Sequence, residues 1–339
     1  MIISRTPYRI SFFGGGSDYP QWYREHGGQV LATSINKYCY ITCRYLPPFF
    51  EHRYRVAYSE IENVQSIDQI HHPAVRETLK YLGIDRGVEI HHDGDLPARS
   101  GMGSSSSFTV GLLNALHALQ GRMMDTQHMA GQAIYIERDR LGETVGSQDQ
   151  TLAAHGGFNH IAFGKDGNID VRPVTLRPER IQELQDHLML FYTGIQRTAS
   201  DIAATYVNGA VNLQATMDAV DEGLGILNSH QDICAFGELL HWAWGVKKSL
   251  SLKITSPDVD WMYEAALAGG AIGGKLLGAG GGGFMLLFVA PEYQSKVKEV
   301  LNKLTHVPFK FESQGSQIIF YDVEEDYTEV ENGRLVQAH

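Results

Sequence analysis

Apolar and polar residues alternate along much of the first hundred positions and take helical spacing only in short stretches. Residues 2–13 predict a strand that runs into Gly14-Gly15-Gly16-Ser17-Asp18, and residues 30–35, 38–43 and 53–58 predict three more. Residues 71–82 have helical spacing and stop at Gly83. In the next segment Val88, Ile90 and His92 point one way and Glu89, His91 and Asp93 the other, which is the period of a strand. Residues 108–116 are again apolar at helical spacing. A Gly/Ser-rich stretch, Pro97-Ala98-Arg99-Ser100-Gly101-Met102-Gly103-Ser104-Ser105-Ser106-Ser107, therefore joins a strand to the start of a helix.

Further along, residues 125–141 predict a helix carrying Glu137. Glycine-flanked residues 142–150 lead through Asp149 to a short apolar segment that ends at His155-Gly156-Gly157. A turn at 163–168 predicts a hairpin, and polar residues then run to His187, which places the expected division between domains of residues 1–170 and 171–339. Residues 188–192 have the composition of a buried strand, 199–251 of helices and 259–268 of another helix. That helix ends in a glycine-rich run, 269–283, followed at once by an apolar strand at 284–289. A helix over 292–304 and a strand over 317–321 complete a second α+β unit, and the acidic tail from Glu324 reads as peripheral.

Composition narrows the function classes. The chain has 339 residues, 43% hydrophobic and 20% charged, which is enough for about two globular domains. A formal net charge of −11 disfavours broad binding to nucleic acid or anionic membranes. No apolar run approaches the roughly 18 residues of a membrane span. The N-terminus lacks a signal-peptide layout, and Cys39, Cys43 and Cys234 form no CxxC pair. The odd, low cysteine count fits a reducing cytoplasm.

The Gly/Ser stretch is the strongest chemical signal. A loop at a helix N-terminus presents several backbone N–H groups at the positive end of the helix dipole, and glycines let a ligand approach closely. Two glycines and five serines exceed what an ordinary serine cap needs, so the stretch predicts a phosphate cradle. Other candidates are weaker alone. Asp18 could bind sugar hydroxyls or simply end a turn. Arg9 could be a surface charge or face the same pocket. Glu137 could lie on a solvated helix face, and Asp149 could be a helix cap. Arg197, in Thr193-Gly194-Ile195-Gln196-Arg197-Thr198, could bind a phosphate or sit exposed at a helix start. The pairs His71-His72 and His91-His92 lack the spacing of zinc ligands. The run Gly278-Ala279-Gly280-Gly281-Gly282-Gly283 precedes a strand, the wrong orientation for a dinucleotide-binding turn, and no Walker-type loop is present.

Three of these motifs, in order, resemble the GHMP small-molecule kinases, the superfamily of galactokinase, homoserine kinase, mevalonate kinase and phosphomevalonate kinase. They are Pro7-Tyr8-Arg9-Ile10, the cradle, and Lys275-Leu276-Leu277-Gly278-Ala279-Gly280-Gly281-Gly282-Gly283. The fuller first motif, residues 6–19 with Ser34-Ile35-Asn36-Lys37-Tyr38-Cys39-Tyr40, resembles the branch acting on a heptose 7-phosphate.

The resemblance implies a two-domain α+β fold. Its first domain would hold a left-handed βαβ crossover, and its second would be ferredoxin-like, with the site in the cleft. It implies ATP, Mg²⁺ and a small sugar phosphate as ligands, and transfer to an anomeric hydroxyl; a homodimer is left open. In the family's pattern Asp149 matches the catalytic aspartate and Arg9 the cation beside it. Ser105 and Glu137 match the magnesium ligands. Pro97, Arg99, Ser100, Gly101, Met102, Gly103, Ser104, Ser105 and Ser106 would hold the nucleotide. Asp18, with Gly15, Gly16 and Ser17, would hold the sugar, and Gly280 and Gly281 would lie against substrate. Arg197, Lys275 and Arg44 are the candidates for the acceptor's phosphate, in that order. Where galactokinases carry a Glu-His pair this chain has Gly15-Gly16, which leaves room for a bulkier acceptor. Another sugar-1-kinase of the fucose or galactose type, or a non-catalytic member of the fold, would share most of these motifs.

Overall fold

The computed structural model describes residues 1–195 and 213–322. Two sheets organise the chain. The larger has nine strands: β1 (Ile2–Phe13), β2 (Gly28–Tyr45), β3 (Tyr54–Ala57), β4 (Ile61–Val64), β5 (Val88–Gly94), β6 (Phe158–Phe163) and β7 (Ile169–Pro173), joined by β12 (Phe311–Glu312) and β13 (Gln317–Tyr321). Its main path runs β13-β1-β2-β5-β3-β4, and β6 and β12 also pair with β2. The smaller sheet is antiparallel, in the order β11 (Thr305–His306), β8 (Leu188–Tyr192), β10 (Phe284–Val289), β9 (Ala271–Leu276). That order, with helices between its first and second and between its third and fourth strands, is ferredoxin-like.

Residues 30–35 and 38–43, predicted as separate strands, are one 18-residue strand. The polar Asn36-Lys37 between them is a bulge: Pro7 of β1 opposes Tyr38, but the next residue, Tyr8, opposes Ile35. Pro7 has no N–H to give the ladder, so pairing breaks where it costs least. Asn36 instead exchanges hydrogen bonds with Lys310, which draws the C-terminal chain onto β2 beside β12. Beyond this point β1 is buried on both faces.

The expected division at 170 falls inside β7, which pairs with β6, and β12 and β13 of the second half add to the first sheet. The chain thus returns to its first domain after completing the second. The helix expected over 292–304 is shorter, α10 (Gln294–Val300), after a turn at Pro291–Tyr293.

Between the sheets lie α7 (Gln214–Asn228) and α8 (Cys234–Leu250). Phe236 of α8 is fully buried, with its ring 5.5 Å from Phe12 and 5.1 Å from Phe13 of β1 and 6.4 Å from Phe288 of β10. One hydrophobic core therefore joins both sheets. Phe236→Ala is expected to lower unfolding free energy by about 3–5 kcal/mol. Trp242→Ala, at a position on the same helix that is 46% exposed, should change it by less than about 0.5 kcal/mol. Urea unfolding measures both; equal losses would contradict a shared core at Phe236.

Candidate active site

The cradle connects β5 to α3 (Ser104–Leu119). Its backbone turns through Arg99, Gly101 and Gly103, all with positive φ. Gly103 occupies the N-cap in a left-handed conformation, and no side chain caps the helix. The first-turn amides of α3 are thus not taken by a serine cap, which distinguishes the loop from an ordinary helix start. The serines divide their work. Ser107 donates to the Pro7 carbonyl at 2.9 Å and ties α3 to β1, whereas the Ser100 hydroxyl is buried without a partner.

Arg9 and Asp149 meet beneath the cradle. Arg9 leaves β1 just past the bulge and is 5% exposed. Its Nε and Nη2 donate to the two oxygens of Asp149, each at 2.7 Å, and Nη1 donates to the Gly101 carbonyl at 2.7 Å. The Arg9 backbone N–H reaches the Met102 carbonyl at 3.2 Å. Asp149 sits in the first turn of α5 (Gln148–His155), inside the helix, with Ser147 at the cap position. Its side chain remains 25% exposed. Both residues press on the start of α3: a Cβ at Gly103 would lie 3.3 Å from Arg9 and 3.4 Å from Asp149 Oδ2.

Asp18 lies on the same side, 1% exposed. It accepts from the Gly16 N–H at 3.0 Å and the Gln148 N–H at 3.3 Å. Burial, and then the charge of Asp149, push its carboxyl up to about 6. Ser17 folds back on the chain, its hydroxyl donating to the Gly14 carbonyl at 2.8 Å.

Glu137 is buried at 1% exposure, not on a solvated face. The helix α4 (Thr126–Tyr135) widens into a π-helical turn, Ile136–Arg140, which turns Glu137 inward. Its Oε2 accepts from Ser106 Oγ at 2.9 Å and from Gln150 Nε2, and the Thr109 hydroxyl also lies within reach of the carboxylate. Burial pushes this carboxyl up to about 7. Ser105, the hydroxyl expected beside Glu137, is exposed; the hydroxyl that reaches Glu137 is its neighbour's.

The C-terminal glycine run closes over the cradle, backbone to backbone. A Cβ on Gly278 would lie 2.5 Å from the Gly101 Cα, and one on Gly283 2.1 Å from the Ser100 carbonyl oxygen. The Phe284 N–H donates to that carbonyl at 3.2 Å. Gly280 and Gly281, the glycines expected against substrate, lie beside Ile254, whose carbonyl accepts from the Gly281 N–H at 2.8 Å.

Comparison with known proteins follows this geometry. Residues 69–157 match the GHMP kinases N-terminal domain and residues 224–307 the GHMP kinases C-terminal domain. The chain belongs to the GHMP kinase family. The matched spans contain the cradle, Glu137, Asp149 and the glycine run. A D-glycero-alpha-D-manno-heptose 7-phosphate kinase of Campylobacter jejuni is 27% identical over 321 residues, covering 89% of this chain and 93% of that protein. A bifunctional fucokinase/GDP-fucose pyrophosphorylase of Arabidopsis thaliana is 24% identical over 88% of this chain, which spans only 30% of that longer protein. Among solved structures, a D-glycero-D-manno-heptose 1-phosphate kinase from Bacteroides thetaiotaomicron superposes with a TM-score of 0.77 at 24% identity, over 96% of this chain and all of that one. The last likeness speaks for the fold.

Mg²⁺ binds through one or two carboxylates together with substrate phosphates and water, not in an all-protein cage. Glu137 fits that role: it is a buried carboxylate joined through Ser106 to the first turn of the cradle's helix. Among the described residues no group of three or more His, Cys, Asp or Glu is placed to hold a metal alone.

The candidates for an acceptor phosphate separate. Arg44 is paired with Glu89 at 2.7 Å. Arg197 lies outside the described residues. Lys275 is buried, its Nζ donating to the Ser11 carbonyl at 3.0 Å and the Phe12 carbonyl at 2.7 Å. Burial and then Arg9 draw it down to about 7. The sequence reading missed Lys247. Its Nζ donates to the carbonyls of Leu276 at 2.9 Å and Gly278 at 2.5 Å. In sequence it looks like an ordinary basic residue near a helix C-terminus, so nothing there marked it.

The raised Asp18 pKa sets a pH dependence. Its stabilising effect is fully present below the unfolded value near 4 and is lost as pH rises through the folded value of about 6. The ligand-free protein should therefore lose thermal stability between about pH 4 and 7. Asp18→Asn should remove that part of the slope. Melting temperatures across pH test this, and identical slopes would contradict the assignment.

Proposed function

We propose that this carbohydrate kinase of the GHMP family transfers the γ-phosphoryl group of ATP to the anomeric hydroxyl of D-glycero-D-manno-heptose 7-phosphate. The product would be the 1,7-bisphosphate, used to make nucleotide-activated heptose for cell-surface glycans. The observation that carries the reading is the Arg9–Asp149 fork held against Gly103, the N-cap of α3.

Both Asp149 oxygens are fixed by Arg9, yet the carboxylate keeps open surface toward the cleft. It would orient the attacking hydroxyl and take its proton. Arg9 and the amides of the cradle face the same place, where charge develops on the transferring group. Catalysis of this kind works mainly by positioning and electrostatic stabilisation. Glu137, with Ser105 in the first turn of α3 next to Ser106, would hold a Mg²⁺ that neutralises phosphate oxygens. Asp18, with both oxygens already aligned by backbone amides, would hold sugar hydroxyls.

The heptose assignment rests on the Campylobacter relative and on the space at Gly15. A Cβ there would meet only Gln148 Nε2 and Ser11 Oγ, both at 4.0 Å. Gly14 differs: its Cβ would lie 1.9 Å from the Gln29 carbonyl oxygen, so the fold itself demands glycine there. The residue that leaves room for a large acceptor is Gly15. A cytoplasmic setting belongs to the same reading and agrees with a low count of three cysteines.

Two tests follow. Asp149→Asn should lower kcat by about 10²- to 10⁴-fold while changing the affinity for a non-hydrolysable ATP analogue by less than about threefold. Near-normal turnover would remove Asp149 from the chemistry. A panel of heptose 7-phosphate, free heptose, fucose and galactose with ATP should show turnover chiefly on the phosphorylated heptose. Equal turnover on free sugars would replace that acceptor with a hexose or deoxyhexose.

A further inference from the structure

Two lysines of the second domain converge on the catalytic pair with no carboxylate of their own. Lys247 reaches from α8 to the Leu276 and Gly278 carbonyls. Lys275 reaches from β9 to the Ser11 and Phe12 carbonyls of β1. Gly278 rests on Gly101, whose carbonyl accepts from Arg9, so the lysines and the fork belong to one contiguous cluster. Among the described residues neither lysine makes an ion pair. Every bond either makes is to a backbone oxygen. Each ammonium has three donors and uses two, so one N–H on each remains.

The cluster is positively unbalanced. Arg9, Lys247 and Lys275 lie close enough to repel one another, and Asp149 is already held by Arg9. Desolvation penalises buried ammonium groups, and these two penalise each other as well: Lys247 is lowered by burial, then by Lys275 and Arg9. Backbone carbonyls offset only part of that cost. An arrangement so short of negative charge is completed by an anion. The Ser11 hydroxyl, buried and without a partner on the strand that Lys275 grips, adds a neutral donor.

We infer that Lys247 and Lys275 form a phosphate-binding subsite, with the remaining N–H of each ammonium given to one phosphate group in the cleft. The inference rests on the kinase reading above. Two sources can supply that chemistry: the γ-phosphate of ATP, or a phosphate ester on the acceptor. A phosphate monoester carries up to two negative charges near neutral pH, enough to balance both ammonium groups. Binding returns the lysines to their charged forms, so a proton enters with the ligand. A merely structural pair of lysines gripping carbonyls would take up none.

Calorimetry of the native enzyme at pH 8, in two buffers of different ionisation enthalpy, reads this directly. The two arms use a non-hydrolysable ATP analogue and heptose 7-phosphate. One arm is expected to show uptake of roughly one proton per bound ligand, and that arm identifies the source. Lys247→Met, checked for folding by its melting temperature, should weaken the same ligand by roughly 10- to 100-fold and reduce the uptake. Lys247→Arg should recover much of the affinity. Should Lys247→Met not fold, the native proton count still decides. No uptake in either arm, or Lys247→Met matching the native enzyme toward both ligands, would overturn the subsite. If the native enzyme phosphorylated no sugar, the proposed function would fall, while the ATP-analogue arm would still judge the lysines.

Discussion

The arrangement depends on one buried guanidinium. Arg9 has no water to replace its partners, so its hydrogen bonds dictate what surrounds it: two to Asp149, one to Gly101. An exposed ion pair contributes about 0–1 kcal/mol, whereas breaking a buried one costs about 3–5 kcal/mol. This pair is asymmetric. Arg9 is enclosed and cannot lose its carboxylate cheaply, while Asp149 keeps a quarter of its surface open. The same bonds that fix β1, the cradle and α5 together leave part of the carboxylate open, as the proposed role of Asp149 requires.

The second domain docks on this unit by close backbone approach. Gly101 against Gly278 and Ser100 against Gly283 leave no space for a side chain at either glycine. Around those contacts, Lys275 binds the Ser11 and Phe12 carbonyls across the junction, and Lys247 holds the Gly278 carbonyl on its own side. The cleft is thus lined by amides, carbonyls and a few buried charges whose burial moves Asp18 and Glu137 up and Lys275 down. Each shift favours the neutral form of its group.

Much of this was legible in the sequence where chemistry and order along the chain coincide. The cradle showed as glycines and serines between a strand and a helix, and Arg9, Glu137 and Asp149 stood at the family's spacing. Other features depend on three-dimensional neighbours. Asn36-Lys37 looked like a gap between strands because a bulge is polar and short; only Pro7 opposite explains it. Which serine of the first helical turn meets Glu137 depends on the π-helical turn, which spacing does not reveal. Residues 311–321 looked like part of the second domain because sequence distance hides their return to β1 and β2. Lys247, beside Lys248 near a helix end, carries a common surface pattern, and only the fold brings the glycine run to it.

The central claim is that Arg9 and Asp149 act as one unit. A double-mutant cycle on kcat/KM, using Arg9→Met, Asp149→Asn and the double variant, tests it most directly. The account predicts strong non-additivity, with the double variant about as impaired as the worse single one. Independent, multiplying losses would contradict it.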